Sequence, residues 1–165
     1  MHVAIFIIFT KRKNNTMSEL KKRLLSIIES PKHNTDEILQ KICHLLDQEK
    51  TYFNWTGFYF KNGDQQELIL GPYVGAETDH TVIPFGKGIC GQVAVSNETF
   101  VVPDVHEQNN YLSCSIDTKA EIVVPIIKDG ENIGQIDIDS HSLNPFTNED
   151  REMLEWLCAE IAKIL

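Results

Sequence analysis

Proline and glycine are sparse in this chain, six and nine among 165 residues, which excludes collagen-like and low-complexity architectures. No apolar run approaches the roughly 20 residues a spanning helix needs. The opening run Val3 to Phe9 has seven residues, and its charges, Lys11, Arg12 and Lys13, follow it, the reverse of a secretory signal. Basic residues are also few, 15 against 24 acidic ones for a net charge of -9. Without the three near the start, 12 basic residues face 24 acidic ones from Met17 onward. That balance argues against a nucleic-acid partner, and the short apolar runs argue against a membrane one. Cysteine occurs only at Cys43, Cys90, Cys114 and Cys158. These positions form no CxxC pair and no small-scaffold disulfide framework, which fits a reducing compartment. His80, His106 and His141 stand singly, without HxxxH or HExxH spacing, so neither a metal site nor a cofactor is expected.

Apolar residues at 42% and charged residues at 24% describe one ordinary globular domain. Residues 1–16 read as an upstream extension, disordered or not native, with a weak amphiphilic anchor as the alternative, and the domain is expected over 17–165. Ser18 to Ser30 predicts a helix with Leu20, Leu24, Leu25 and Ile28 on one side, ended by Pro31. A second helix begins at Thr35-Asp36-Glu37, with Ile38, Ile42, Leu45 and Leu46 as its apolar stripe. Tyr52 to Phe60 predicts a strand, and Asn62-Gly63-Asp64 a turn. Glu67 to Leu70 with Gly71-Pro72 then completes a hairpin. Short strands at Thr81 to Pro84 and Phe100 to Val102 flank a helix from Ile89 to Ser96. Glu121 to Lys128 and Asn132 to Asp139 are β-branched runs joined through Asp129-Gly130, a strong hairpin signal. Thr147 to Asp150 reads as a capping box for a terminal helix with Leu154, Leu157, Ile161 and Ile164 on its buried face. The sum is an α+β fold, a mostly antiparallel sheet of about six strands with N-terminal helices and a C-terminal helix packed on it.

Three acids occupy positions where a strand pattern prefers apolar residues. Asp137 and Asp139, two apart, point to one face. Glu121 joins them if the last hairpin turns about Gly130, whereas a two-residue Asp129-Gly130 loop sends it to the opposite face. Convergent carboxylates raise one another's pKa and could hold a proton near neutrality or bind an ammonium group. Solvated acids on an exposed sheet face are the alternative. Cys114 lies in the polar stretch between Asp104 and Lys119, which has no clear period, and is a candidate nucleophile in a binding loop. Cys90 follows Gly86-Lys87-Gly88 in the first turn of a helix, where the helix dipole and Lys87 favour a thiolate. Cys43 and Cys158 sit beside apolar stripes and read as packing residues.

The order of Asn54-Trp55-Thr56-Gly57-Phe58-Tyr59, Ile83-Pro84-Phe85-Gly86-Lys87-Gly88-Ile89-Cys90-Gly91, Asp104-Val105-His106, Glu121 to Pro125 and Ile133 to Ser140 resembles the GAF domains of the free methionine-(R)-sulfoxide reductase family. The resemblance runs from about Asn54 to Leu165. It implies a cytoplasmic, homodimeric thiol oxidoreductase that acts on free L-methionine (R)-sulfoxide. Cys114 matches the family's nucleophile and Cys90 a second redox cysteine. Glu121, Asp137 and Asp139 match the acids around the substrate, Glu121 with a catalytic part, and Trp55 with Tyr59 matches the aromatic wall. Family members often carry a third, resolving cysteine where this chain has His80, and Ser113-Cys114-Ser115 also departs from the family's loop. Recycling is therefore expected to use Cys90 or an external thiol such as thioredoxin. A non-catalytic GAF sensor or binding module in the same pocket is the alternative reading.

Overall fold

The structure, a computed structural model, describes residues 17–108 and 117–165. Helix α1 covers residues 17–28, and α2 covers Thr35–Glu49. The strands are β1 (Trp55–Lys61), β2 (Glu67–Val74), β3 (Val82–Pro84), β4 (Phe100–Val102), β5 (Ala120–Lys128) and β6 (Glu131–Ser140). Helix α3 (Gly88–Ser96) links β3 to β4, and α4 (Asn148–Ile161) ends the domain. The six strands form one sheet in the order β3-β2-β1-β6-β5-β4, and every neighbouring pair is antiparallel.

Strand alternation divides the interior in two. Phe58, Ile122, Val124, Ile126, Ile136 and Ile138 point to the face covered by α1, α2 and α4, where Leu24, Leu39, Ile42, Leu46, Leu154 and Leu157 close a large apolar core. Trp55, Tyr59 and Val123 point to the other face, packed against Ile89, Cys90, Val93 and Ala94 of α3. Each fully buried side chain of this size contributes roughly 1.5–3 kcal/mol, so the first face supplies most of the stability. The second is left to hold the polar groups.

Several boundaries differ from the sequence reading for local reasons. Helix α2 does start at Thr35 as read, capped by a reciprocal box between Asn34 and Glu37. Tyr52 and Phe53 lie before β1, where they pack with Phe146 in an aromatic cluster. Strand β2 does not stop at Gly71-Pro72. An extra residue there opposes the Gly57 to Tyr59 step of β1, and a bulge of this kind accommodates a proline that has no N–H for the ladder. Helix α4 ends at Ile161, leaving Ile164 half-buried in the turn beyond it. Its capping box is present as expected. Thr147 Oγ1 accepts from the Asp150 amide, and the Asp150 carboxylate accepts from Thr147 N at 2.9 Å, Lys50 Nζ at 2.8 Å and Tyr52 OH at 2.9 Å. Burial works to raise the Asp150 pKa, but the bonds from Lys50 and Thr147 outweigh it and hold the carboxyl below its ordinary value.

Candidate active site

The register of the β5–β6 hairpin determines whether the three acids meet. The connection is the two-residue Asp129-Gly130 turn, both residues at positive φ (52° and 83°), and Lys128 opposes Glu131. On that register Glu121 would lie across from Ile138. The ladder does not keep it. Ile127 opposes Asn132 but Ile126 opposes Gly134, so Ile133 is an extra residue on β6. From that bulge onward Glu121 opposes Asp139 and Val123 opposes Asp137. The two registers weighed from sequence are thus both realised, one at each end of the same hairpin. Asn132 Oδ1 accepts from the Gly134 amide at 3.0 Å within the bulge. Glycine is required at 134, because a Cβ there would come within 2.7 Å of the Phe60 ring and of the Tyr59 carbonyl oxygen.

Glu121, Asp137 and Asp139 are all buried on the α3 face of the sheet, with Asp137 fully enclosed. None of the four oxygens of Asp137 and Asp139 has a donor in full hydrogen-bond geometry among the described residues. Burial, and then the charges of Asp137 and Asp139, push Glu121 well above the ordinary carboxyl range. Burial also pushes Asp137 up to about 7, against the moderating contacts of the Cys90 thiol and the Glu121 carboxyl. Asp139 is raised by burial and by Asp137, and lowered in part by Thr118. Three carboxyls in one desolvated group cannot all ionise, so the cluster holds protons near neutral pH.

Cys90 stands in the first turn of α3, buried, as its position after Gly88 predicts. Tertiary packing adds what chain spacing does not show. Its Sγ and carboxylate oxygens of Glu121 and Asp137 all lie within 4.8 Å of one another. The sulfur therefore meets carboxyls, where the sequence reading considered only the helix end and Lys87. These three residues, with Ile83, Lys87, Gly88 and Ile89, line a cavity of about 10 Å³. A wider groove of about 630 Å³ between Asn97, Pro125 and Arg151 contains no comparable set of groups.

Trp55 and Tyr59 are buried in one cluster with Cys90. Trp55 opposes Asp139 on the neighbouring strand, and Gly57 opposes Asp137. The indole stacks on Tyr73 at 5.4 Å and on Tyr59 at 6.3 Å between centroids, and its Nε1 donates to the Ala76 carbonyl at 3.1 Å. A Cβ at Gly57 would lie 2.6 Å from Trp55 Cζ3 and 2.8 Å from Tyr73 Cβ, so this glycine lets the ring lie over the strand. Tyr59 is fully buried, and its hydroxyl donates to the His80 carbonyl at 2.9 Å. Tyr73 and Thr118 were not singled out from sequence. Tyr73 owes its place to Gly57 across the β1–β2 ladder and Thr118, just before β5, meets Asp139, although the Trp-x-Gly spacing is a signal that a ring lies flat. Cys43 and Cys158 are buried, their thiols pushed well above the ordinary value by desolvation, as packing residues should be. Cys114 lies outside the described residues, as do residues 1–16.

Residues 32–165 match the family model of the GAF domain. A free methionine-R-sulfoxide reductase of Saccharomyces cerevisiae is 45% identical over 124 residues, 74% of this chain and 68% of that protein. The free methionine-R-sulfoxide reductase of Escherichia coli is 36% identical over 73% of this chain and 72% of its own length. The X-ray structure of the free methionine-R-sulfoxide reductase from Neisseria meningitidis in complex with its substrate superposes with a TM-score of 0.81 at 32% identity, covering 90% of this chain and 89% of that one. By fold, by coverage and by identity, this chain is a member of the GAF-domain family of free methionine-R-sulfoxide reductases.

Proposed function

We propose that this chain reduces free L-methionine (R)-sulfoxide to L-methionine with Cys114 as nucleophile. The observation that carries the reading is the convergence of Glu121, Asp137 and Asp139 beside Cys90 under the Trp55 wall, in a chain of this family. Three residues separate Cys114 from Thr118, which stands beside Asp139.

The Cys114 sulfur attacks the sulfoxide sulfur while Glu121, kept protonated by burial and its neighbours, donates to the sulfoxide oxygen. The oxygen passes to cysteine, giving Cys114 sulfenic acid and methionine. The sulfoxide sulfur gains two electrons and the cysteine sulfur loses two. Attack on the sulfenic acid by a second thiol, Cys90 or thioredoxin, then forms a disulfide and releases water. Asp137 and Asp139 bind the substrate ammonium, and Trp55 with Tyr59 encloses its methyl-sulfur end. A polypeptide has no free ammonium to offer those acids, which confines the reaction to the free amino acid. The domain is read over 17–165, acting as a cytoplasmic homodimer.

The test is turnover of free methionine (R)-sulfoxide, the (S) form and N-acetylated sulfoxide by the reduced protein, with methionine quantified by chromatography. Only the free (R) form should give methionine, and Cys114→Ser should give none. Substrate binding without turnover would instead support the binding-module reading, which His80 at the usual resolving position favours.

A further inference from the structure

We propose that the reduced site also binds one thiophilic divalent cation of the Zn²⁺ type between Cys90 Sγ and the carboxylates of Glu121 and Asp137, and that the cation closes the site to substrate. This goes beyond the reductase reading, and because it is tested without turnover, either can fail alone.

The donor set comes from two elements brought together by the fold, α3 and the β5–β6 hairpin, with all three ligand atoms within 4.8 Å of one another. Zinc bonds of about 2.3 Å to sulfur and 2.0 Å to oxygen would place such atoms roughly 3.5 Å apart, which small side-chain rotations from this arrangement reach. An independent observation points to a ligand as well. The Asp137 oxygens are fully buried, lack a donor in full hydrogen-bond geometry among the described residues, and belong to a residue that lines the cavity. The contacts of the Cys90 thiol and the Glu121 carboxyl moderate this burial only in part, and a buried carboxylate is costly unless a positive charge meets it. Lys87 is the basic side chain among the described residues lining that cavity.

Size and softness select the class of ligand. At about 10 Å³ the cavity between these side chains has room for one ion or one water. Sulfur as one of three donors selects zinc-like ions over magnesium or calcium, which take oxygen sets. A cation here would engage Cys90 and two of the three acids at once, so zinc should compete with substrate.

The experiment uses the full chain, reduced and freed of metal with a chelator. Zn²⁺ is titrated against a chromophoric chelator, and Co²⁺ is added separately to read thiolate-to-metal charge-transfer absorption. One equivalent of Zn²⁺ should bind, and Co²⁺ should give the charge-transfer band. The band should vanish in Cys90→Ser and persist in Cys43→Ser and Cys114→Ser. Asp137→Asn and Glu121→Gln keep side-chain shape, and each should weaken Zn²⁺ at least about tenfold, since even outer-shell partners are worth that much. Circular dichroism verifies the fold of each variant, and Cys90→Ser alone decides if a carboxamide variant does not fold. Absence of stoichiometric Zn²⁺ binding, a band retained in Cys90→Ser or lost in Cys114→Ser, or unchanged affinity in both folded carboxamide variants overturns the proposal.

Discussion

Glu121 lies directly across from Asp139 on the β5–β6 ladder, although the tight turn joining these strands would by itself place it across from Ile138. The difference is one residue, Ile133, extruded as a bulge. In a sheet a one-residue slip exchanges the two faces, so this bulge is what places an acid from β5 in the pocket rather than in the apolar core beneath it.

The bulge depends on Gly134, whose missing side chain makes room for the Phe60 ring and the Tyr59 carbonyl. Gly134→Ala should therefore cost roughly 1–3 kcal/mol, as overpacking does, measured by urea unfolding at neutral pH. It should also reduce turnover more than an equally destabilising core change such as Ile126→Val. Equal losses in the two variants would detach the bulge from the site.

Asp137 supplies a stability prediction. Burial raises its folded pKa to about 7, whereas an unfolded aspartate titrates near about 3.9. Its stabilising contribution is complete below the unfolded value and is lost as pH rises through the folded one. Asp137→Asn should be close to neutral at pH ~4 and stabilising by on the order of 4 kcal/mol at pH ~8. Denaturant midpoints at the two pH values check this. A gain independent of pH would refute the buried-charge account.

Turnover should follow the same protons. The acids of β5 and β6 face Cys90 of α3, Lys87 just before that helix and Thr118 before β5. With the Glu121 proton needed at the sulfoxide oxygen, kcat/KM should decline only as pH rises through the Glu121 pKa, which burial and then the charges of Asp137 and Asp139 hold well above the ordinary carboxyl range. Glu121→Gln should lose about 10²–10⁴-fold in kcat, the usual worth of a general acid. A rate that climbs with thiolate formation above pH ~8, the ordinary cysteine range, and never declines would exclude the cluster as proton donor.

Asp150 is expected to behave in the opposite way. Its carboxyl joins the α4 cap to Lys50 and Tyr52, and its pKa is held below the ordinary value. The stability it supplies is present above the unfolded pKa and lost as pH falls through the folded one. Asp150→Ala should cost about 3–5 kcal/mol at pH ~7, the penalty for breaking a buried pair. The penalty should shrink in acid, while KM for substrate stays within twofold or so, because Asp150 bonds to Lys50, Tyr52 and Thr147 and to none of the described pocket residues. Thermal unfolding across pH and steady-state kinetics measure the two effects.

Gly57 tests the wall. Gly57→Ala places a methyl group against Trp55 and Tyr73, so the indole must move. We expect a shifted tryptophan emission and a KM raised by about tenfold or more, in the range that pocket-shape changes produce. Emission and KM both unchanged would mean that the ring is not held as described.

Much of this protein is legible in the chain itself. Pro31, the Thr147 to Asp150 box, the Asp129-Gly130 turn and the apolar spacing of α2 and α4 are local signals, and each resolves as expected because caps, turns and stripes rest on neighbours a few residues away. The acids at strand positions and the cysteine at the start of α3 are visible too, as residue types out of place in their pattern. What the chain alone left open is which of them share a pocket. Two registers were compatible with the same hairpin sequence, and choosing between them required the Phe60 ring and the Tyr59 carbonyl against Gly134, contacts more than seventy residues away. The meeting of Cys90 with Glu121 and Asp137, the indole lying over Gly57, and the raised pKa values that follow from burial all arise the same way. Local geometry sets the elements, whereas register, desolvation and charge coupling depend on contacts distant in sequence and exist only once the sheet and α3 have packed.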